Sequence, residues 1–173
     1  MEQYSILTQE ITNSIDKDTK KKQGIFITPR SIIEIMIKLL NKYMKNINTI
    51  LEPSCGSCEI INYIDSKYKS KKIVGIELNS KLYDKITDLQ FNNDTILLNE
   101  DYLTYNDDNE YDLIIGNPPY FVMPKSKVDK QYYNLFDGRP NIFIMFIIHS
   151  LDKLAKNGIM CFVLPKNFLN CLY

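Results

Sequence analysis

Five short apolar runs, each closed by a polar or proline-bearing turn and separated by stretches of helical periodicity, constrain this chain more than any other feature. The runs are INTILEP (47–53), KKIVGIEL (71–78), DTILLNE (94–100), YDLIIGN (111–117) and GIMCFVLP (158–165). Strands that alternate with helices cannot close as hairpins, because each helix carries the chain back to the same end of the sheet. The pattern therefore predicts an α/β fold with a doubly wound, mostly parallel, Rossmann-like sheet and helices on both faces. The fifth run ends eight residues before Tyr173. The sheet is thus expected to be incomplete at its C-terminal edge, with an apolar strand left to be paired or covered.

Helix signals fill the intervals. Thr28 reads as an N-cap with Pro29 in the first helical position. Ile32, Ile33, Met36, Leu39, Leu40, Tyr43 and Met44 then recur at helical spacing through about residue 46. Further helices are expected near 57–68, 79–90 and 141–156, the last closed by Asn157-Gly158. The spacing divides the chain into an N-terminal arm over 1–27, lysine-rich toward its end, and a single domain over 28–173.

Composition narrows the class. With 45% apolar and 24% charged residues the chain is globular, and its longest apolar run, Ile142 to Ile148, is far short of a membrane span. The polar, acidic first residues lack the pattern of a secretory signal. An intracellular, soluble protein is expected, cytoplasmic or in the cytoplasm of a virus-infected host. The net charge is zero, yet Lys+Arg against Asp+Glu runs 12 to 8 over 1–72, 2 to 10 over 73–120 and 7 to 3 over 121–173. An anionic nucleic acid would meet the basic flanks, although solvated lysine faces explain them equally.

Cys55 and Cys58 form a C-x-x-C, either a redox dithiol or half of a zinc site. Zinc needs a second ligand pair, and the remaining candidates, Cys161, Cys171 and the single histidine His149, are scattered. No metal is expected. His149 lies in the apolar run NIFIMFIIHSLDKL, a structural position, so Ser-His-Asp chemistry has no suitable base.

Parallel sheets bind ligands beyond the carboxyl ends of their strands. There the first run ends in LEPSCG, whose Gly56 permits close backbone approach. The second ends in Glu77, an acceptor for both hydroxyls of a ribose, and the third in Asp101 and Tyr102, suited to an adenine amine and ring. The G-x-G-x-x-G of a dinucleotide site is missing. The ligand expected is a nucleoside without a pyrophosphate.

The fourth run stops at Asn117-Pro118-Pro119-Tyr120. Two prolines stiffen the turn and leave carbonyls free to accept, and Asn117 adds a side-chain oxygen. In an arbitrary loop this is a rigid turn. Beside a nucleoside pocket it can hold a planar amine, both N–H bonds on oxygen and the ring on Tyr120. Such a grip favours pyramidal nitrogen and aims its lone pair, which is catalysis by orientation and electrostatics.

The order GIFITP (24–29), LEPSCG (51–56), GIEL (75–78), NEDYL (99–103), IIGNPPY (114–120) and KNGIMCFVLPKNFL (156–169) resembles the gamma class of adenine-specific DNA methyltransferases, which use S-adenosylmethionine (AdoMet). The resemblance covers about residues 22 to 170, and the Thr-Pro segment ahead of the cofactor loop is its most specific element. It implies an AdoMet-dependent methyltransferase domain of the restriction-modification type, acting on adenine in DNA. Thr28 would meet the methionine carboxylate, Glu52, Ser54 and Gly56 the amino acid part, and Glu77 the ribose. Leu78, Asp101 and Tyr102 would surround the cofactor adenine, with Asn117 bordering it. Asn117, Pro118 and Tyr120, with Pro119 stiffening the turn, would grip a target base flipped from the duplex.

This chain departs from that pattern in two ways. Cys58 stands where the family often has a second glycine. The family's further strands, its aromatic over the other face of the base and its target-recognition domain have no counterpart, so a second chain or domain is expected to supply recognition. The stretch 123–140, with Lys125, Lys127, Lys130, Arg139, Tyr132, Tyr133 and Phe136, can touch DNA or form a solvated loop. Alternatives are a methylase of RNA adenine or of protein glutamine, a non-catalytic AdoMet-binding remnant or subunit of a split enzyme, and a thiol-redox module.

Overall fold

The computed structural model describes residues 4–14, 26–128, 130–135, 140–166 and 168. Among them, β1 (Thr49–Glu52), β2 (Lys72–Ile76), β3 (Asp94–Leu98), β4 (Tyr111–Gly116) and β5 (Leu154–Phe162) form one sheet in the order β3-β2-β1-β4-β5. Every neighbouring pair is parallel. Strands β1 to β4 each lie within an apolar run, β5 begins ahead of the fifth at Leu154, and the central strands β1 and β4 are buried over most of their length.

Alternation along the strands splits the core into two layers. Helices α1 (Ile6–Ser14), α2 (Arg30–Leu40), α3 (Glu59–Lys67) and α4 (Ser80–Ile86) pack on the face that carries Ile50, Leu113 and Ile115. Helix α5 (Ile142–Asp152) packs on the other, where Ile142, Met145 and Phe146 meet Leu51, Ile76 and Ile114. The result is the doubly wound arrangement expected.

Several local expectations are corrected. Thr28 is no cap: Pro29 takes that position in extended backbone, and its carbonyl receives the first helical amides, Ile32 at 2.9 Å and Ile33 at 3.2 Å. Thr28 is buried instead. Helix α2 ends at Leu40 rather than near 46, with Lys71 Nζ binding the carbonyls of Met44 (2.9 Å) and Ile47 beyond it. Its buried stripe is Ile33, Met36, Ile37 and Leu40, while Leu39 and Tyr43 are exposed.

Asn157-Gly158 does not close α5, which stops at Asp152. It makes an irregular step inside β5, whose pairing jumps from Tyr111↔Leu154 to Leu113↔Ile159. Asn157 is left-handed (φ 65°), and a Cβ on Gly158 would lie 2.9 Å from the carbonyl oxygens of both Ala155 and Tyr111. Only glycine fits so close a backbone approach.

Part of the expected arm is built into the domain, since Ile11 and Thr8 of α1 are buried. The lysine-rich residues 15–25, together with Phe136, Arg139 and Cys171, lie outside the described residues.

Candidate active site

The chain leaves β1 outward through β2 and β3, then returns to place β4 on the other side of β1. Connections therefore diverge between the carboxyl ends of β1 and β4 and open a crevice there. Ser54, after β1, reaches across it to donate to the Asn117 carbonyl at 3.2 Å.

Thr28, Glu52, Ser54, Gly56, Glu77 and Asn117 line one cavity in this crevice. Leu78, Asp101 and Tyr102 line a second, of about 510 Å³, which shares Ser54, Glu77 and Pro119 with the first. That volume lies within the ~300–1,000 Å³ usual for small-molecule sites. The nine residues singled out for the cofactor thus border a trough made of two adjoining cavities.

Glu77 organises its middle. One carboxylate oxygen accepts from the Gly56 amide at 2.9 Å and the other from the Asn79 amide at 2.7 Å. The loops after β1 and β2 are so tied to one side chain. Burial raises the Glu77 pKa against the lowering effect of these amides. Gly56 takes the left-handed backbone (φ 54°) that this turn needs.

Glu52 is 3% exposed and its Oε2 has no hydrogen-bond partner. Burial, reinforced by Cys58, Glu77 and Glu59 nearby, pushes its pKa well above the ordinary carboxylate value. A buried acceptor left unpaired at a cavity wall suits a cationic ligand group, which satisfies the oxygen and favours its charged form.

Cys58 has φ 61°, the left-handed backbone that glycine enters without strain, and its side chain is fully buried. The backbone at this position is one that glycine favours, while the side-chain space is filled by sulfur. Its hydrogen bond to Cys58, then burial, raises the Cys55 thiol pKa, the reverse of a reactive thiolate. Nothing in this pair favours the redox alternative.

The base-gripping residues show an arrangement that the sequence did not suggest. The Tyr120 hydroxyl contacts Asn117 Oδ1 and lies 2.6 Å from the Val163 carbonyl oxygen. Asn117 Nδ2 donates to the Phe26 carbonyl at 2.9 Å. Tyr120 is half-buried, its pKa pushed up to about 12 by burial, with Phe143 edge-on at 6.2 Å. Pro118 is buried, and Pro119 borders both cavities.

Phe26 was missed from sequence. It is 57% exposed, lines the first cavity and sits 5.8 Å from the Tyr120 ring. Its one sequence signal is its place two residues ahead of Thr28.

Two expectations need adjustment at the far end. Tyr102 is no free plate for a ring: it is 1% exposed, its hydroxyl bonded to Ser150 at 2.8 Å and its ring tilted against that of Phe146 at 5.0 Å. It serves as cavity wall. Asp101 is exposed and accepts from the Leu103 amide at 3.0 Å. His149 packs edge-on to Tyr102 and meets the Tyr105 carbonyl at 3.0 Å, a structural role as expected.

In the stretch 123–140, Lys125 lies over the Tyr133 ring at 4.8 Å, Tyr133 donates to the Lys125 carbonyl at 2.9 Å, and Val128 is buried. Among the described residues no cluster of three or more His, Cys, Asp or Glu could hold a metal ion, and no helix is long and apolar enough to cross a membrane.

Known proteins similar to this chain in sequence or in fold are methyltransferases. The Modification methylase CviBIII of Paramecium bursaria Chlorella virus NC1A is 30% identical over 172 residues, 98% of this chain and 45% of that protein. The Type II methyltransferase M.CvrRI of Paramecium bursaria Chlorella virus XZ-6E is 32% identical, over 93% of this chain and 41% of its own length. This chain therefore spans less than half the length of these relatives. Its fold matches the crystal structure of a class I S-adenosylmethionine-dependent methyltransferase from Listeria monocytogenes, with a TM-score of 0.70 at 17% identity over 95% of this chain and 52% of that one. Residues 49–173 match the family described as Eco57I restriction-modification methylase, which takes in β1, the Asn-Pro-Pro-Tyr turn and β5 alike. The chain belongs to the Eco57I restriction-modification methylase family.

Proposed function

We propose that this chain is the catalytic portion of an AdoMet-dependent DNA methyltransferase that acts on the exocyclic amino group of adenine, with the target base turned out of the duplex. One observation carries the reading: Asn117, at the end of β4, lines the same cavity as Glu52 and Glu77. An amine-gripping amide and a nucleoside trough thus share one space. Relatives that modify DNA in restriction-modification systems support the substrate class.

AdoMet supplies an electrophilic methyl group on a sulfonium. The rest belongs to the chain. Glu52, buried with an unpaired oxygen, receives the cationic end of the methionine part, and Thr28 and Ser54 border that part. Glu77 holds the ribose, and Leu78, Asp101 and the Tyr102 wall enclose the adenine.

Asn117 Oδ1 and the Pro118 carbonyl accept the two hydrogens of the target amine and direct its lone pair toward the trough. Before that, the Tyr120 hydroxyl leaves Asn117, so the ring can present its face to the base. Residues 28–173 carry this machinery. Sequence recognition belongs to a further domain or second chain, with Lys125 and Lys130 touching the DNA backbone.

The test is to incubate the chain, alone and with the polypeptide that supplies base reading, with labelled AdoMet and an adenine-containing duplex. Label recovered as N6-methyladenine is the expected result. Label found on cytosine, on protein or only on RNA overturns the proposal.

A further inference from the structure

We propose that helix α1 clamps the cofactor loop and that Thr8 is its positioning residue, an inference that rests on the AdoMet reading above. Thr8 is 1% exposed, and its Oγ1 lies 2.6 Å from Oγ of Ser57 and in hydrogen-bond contact with Oε1 of Glu59. The Ser5 amide donates to the same Glu59 oxygen at 2.9 Å. Ser57 follows Gly56 in the loop between β1 and α3, Glu59 is the first residue of α3, and both line the cavity assigned to the methionine part.

Hydrogen bonding decides the direction of the network. Thr8 Oγ1 is the donor in both contacts and shares its single proton between the Ser57 oxygen and the Glu59 carboxylate, so Thr8 is the middle member of a relay. Buried relays of this kind hold every member in place, and losing the middle member leaves two polar groups unsatisfied. Ser5 also accepts from the Thr8 amide at 3.2 Å, which seats Thr8 in the first turn of α1. Ile11, fully buried one turn further on, anchors the helix against the core.

The loop needs such a support. Gly56 and Cys58 both have left-handed backbone, a geometry with little intrinsic preference in its favour at a cysteine. Ser57 lies between them, and its side chain is held from outside the loop by α1. Ordering of α1 and ordering of the cofactor cavity are therefore one event, and by linkage each favours the other. Thr8 touches neither substrate nor cofactor; it acts through Ser57 and Glu59.

Calorimetric titration of the chain with AdoMet tests this. Thr8→Val should bind roughly 5- to 30-fold more weakly, an ordinary coupling between linked elements. Thr8→Ser, which keeps the hydroxyl, should restore most of the affinity. On a Ser57→Ala background, Thr8→Val should add little, because the relay is already broken. Hydrogen exchange supplies a readout that general stability does not: amides of residues 6–14 should gain protection with AdoMet in the unaltered protein and not in Thr8→Val.

Unchanged affinity in Thr8→Val, or a loss that adds in full to that of Ser57→Ala, overturns the inference while the cofactor reading stands. If Thr8→Val does not fold, exchange in the unaltered chain decides, and no AdoMet-dependent protection of α1 overturns the clamp. Failure of the unaltered chain to bind AdoMet overturns the cofactor reading and the clamp together.

Discussion

The Tyr120 hydroxyl rests on Oδ1 of Asn117, so the acceptor that the proposed reaction assigns to the incoming amine is occupied by the residue proposed to stack on the same base. Tyr120→Phe removes the competing hydroxyl and keeps the ring. Transfer should be retained, with KM for DNA unchanged or lower. Tyr120→Ala removes the ring and should weaken binding of the target base by about 1–3 kcal/mol. Fluorescence of a 2-aminopurine placed at the target position reports the binding of the base, and labelled methyl transfer to an adenine duplex reports turnover and KM.

Asn117 should separate chemistry from cofactor binding. Asn117→Ala should lower kcat by about 10²- to 10³-fold, the usual loss for a preorganised polar group at a reacting centre. AdoMet affinity measured by calorimetry should stay close to that of the unaltered protein. A parallel collapse of both quantities would show that the side chain serves the trough and not the amine.

Glu52 predicts a pH dependence. Its folded pKa is raised, chiefly by burial, so its contribution to stability is full below the unfolded value of about 4.3 and is lost as pH rises through the folded pKa. The ligand-free protein should therefore lose stability on that side. Glu52→Gln should flatten the slope and raise Tm at pH 8, while weakening AdoMet binding. Thermal melts from pH 5 to pH 8, with and without AdoMet, check both signs.

Asp107 predicts the opposite slope. Burial opposes its charge, but hydrogen bonds from Lys153, Asn109, Tyr111 and Tyr105 outweigh that and hold its pKa at about 2. The Lys153 bond is 2.8 Å, and those of Tyr105 and Tyr111 are 2.8 Å each. A lowered folded pKa gives stability that is present above the unfolded value of about 3.9 and is lost as pH falls toward about 2. Asp107→Asn should cost about 3 kcal/mol at neutral pH. Acid titration followed by circular dichroism should show its transition displaced.

The strands were legible because a sheet buried on both faces must be written in apolar runs, and Ile50, Leu113 and Ile115 have no other place to go. Glu52, Glu77 and Asp101 could be picked out because parallel topology sends every strand's end to the same side. Helix ends were less legible. Pro29 and Asn157-Gly158 carry generic stop and start signals, and tertiary contacts decided how each was used. Helix α1 hid because ILTQEITNS is short and weakly patterned, with Ile6 71% exposed and Ile11 buried. The Asn117 bond to Phe26 spans 91 residues and depends on a rotamer, which no local pattern encodes.

Val163, just past β5, donates its amide to the Gly116 carbonyl at 3.0 Å and accepts from the Tyr120 hydroxyl at 2.6 Å. The phenol is therefore moored to β5, the last strand of the sheet on that side among the described residues. Any displacement of β5 against β4 then reaches the Asn-Pro-Pro-Tyr turn through a single hydrogen bond.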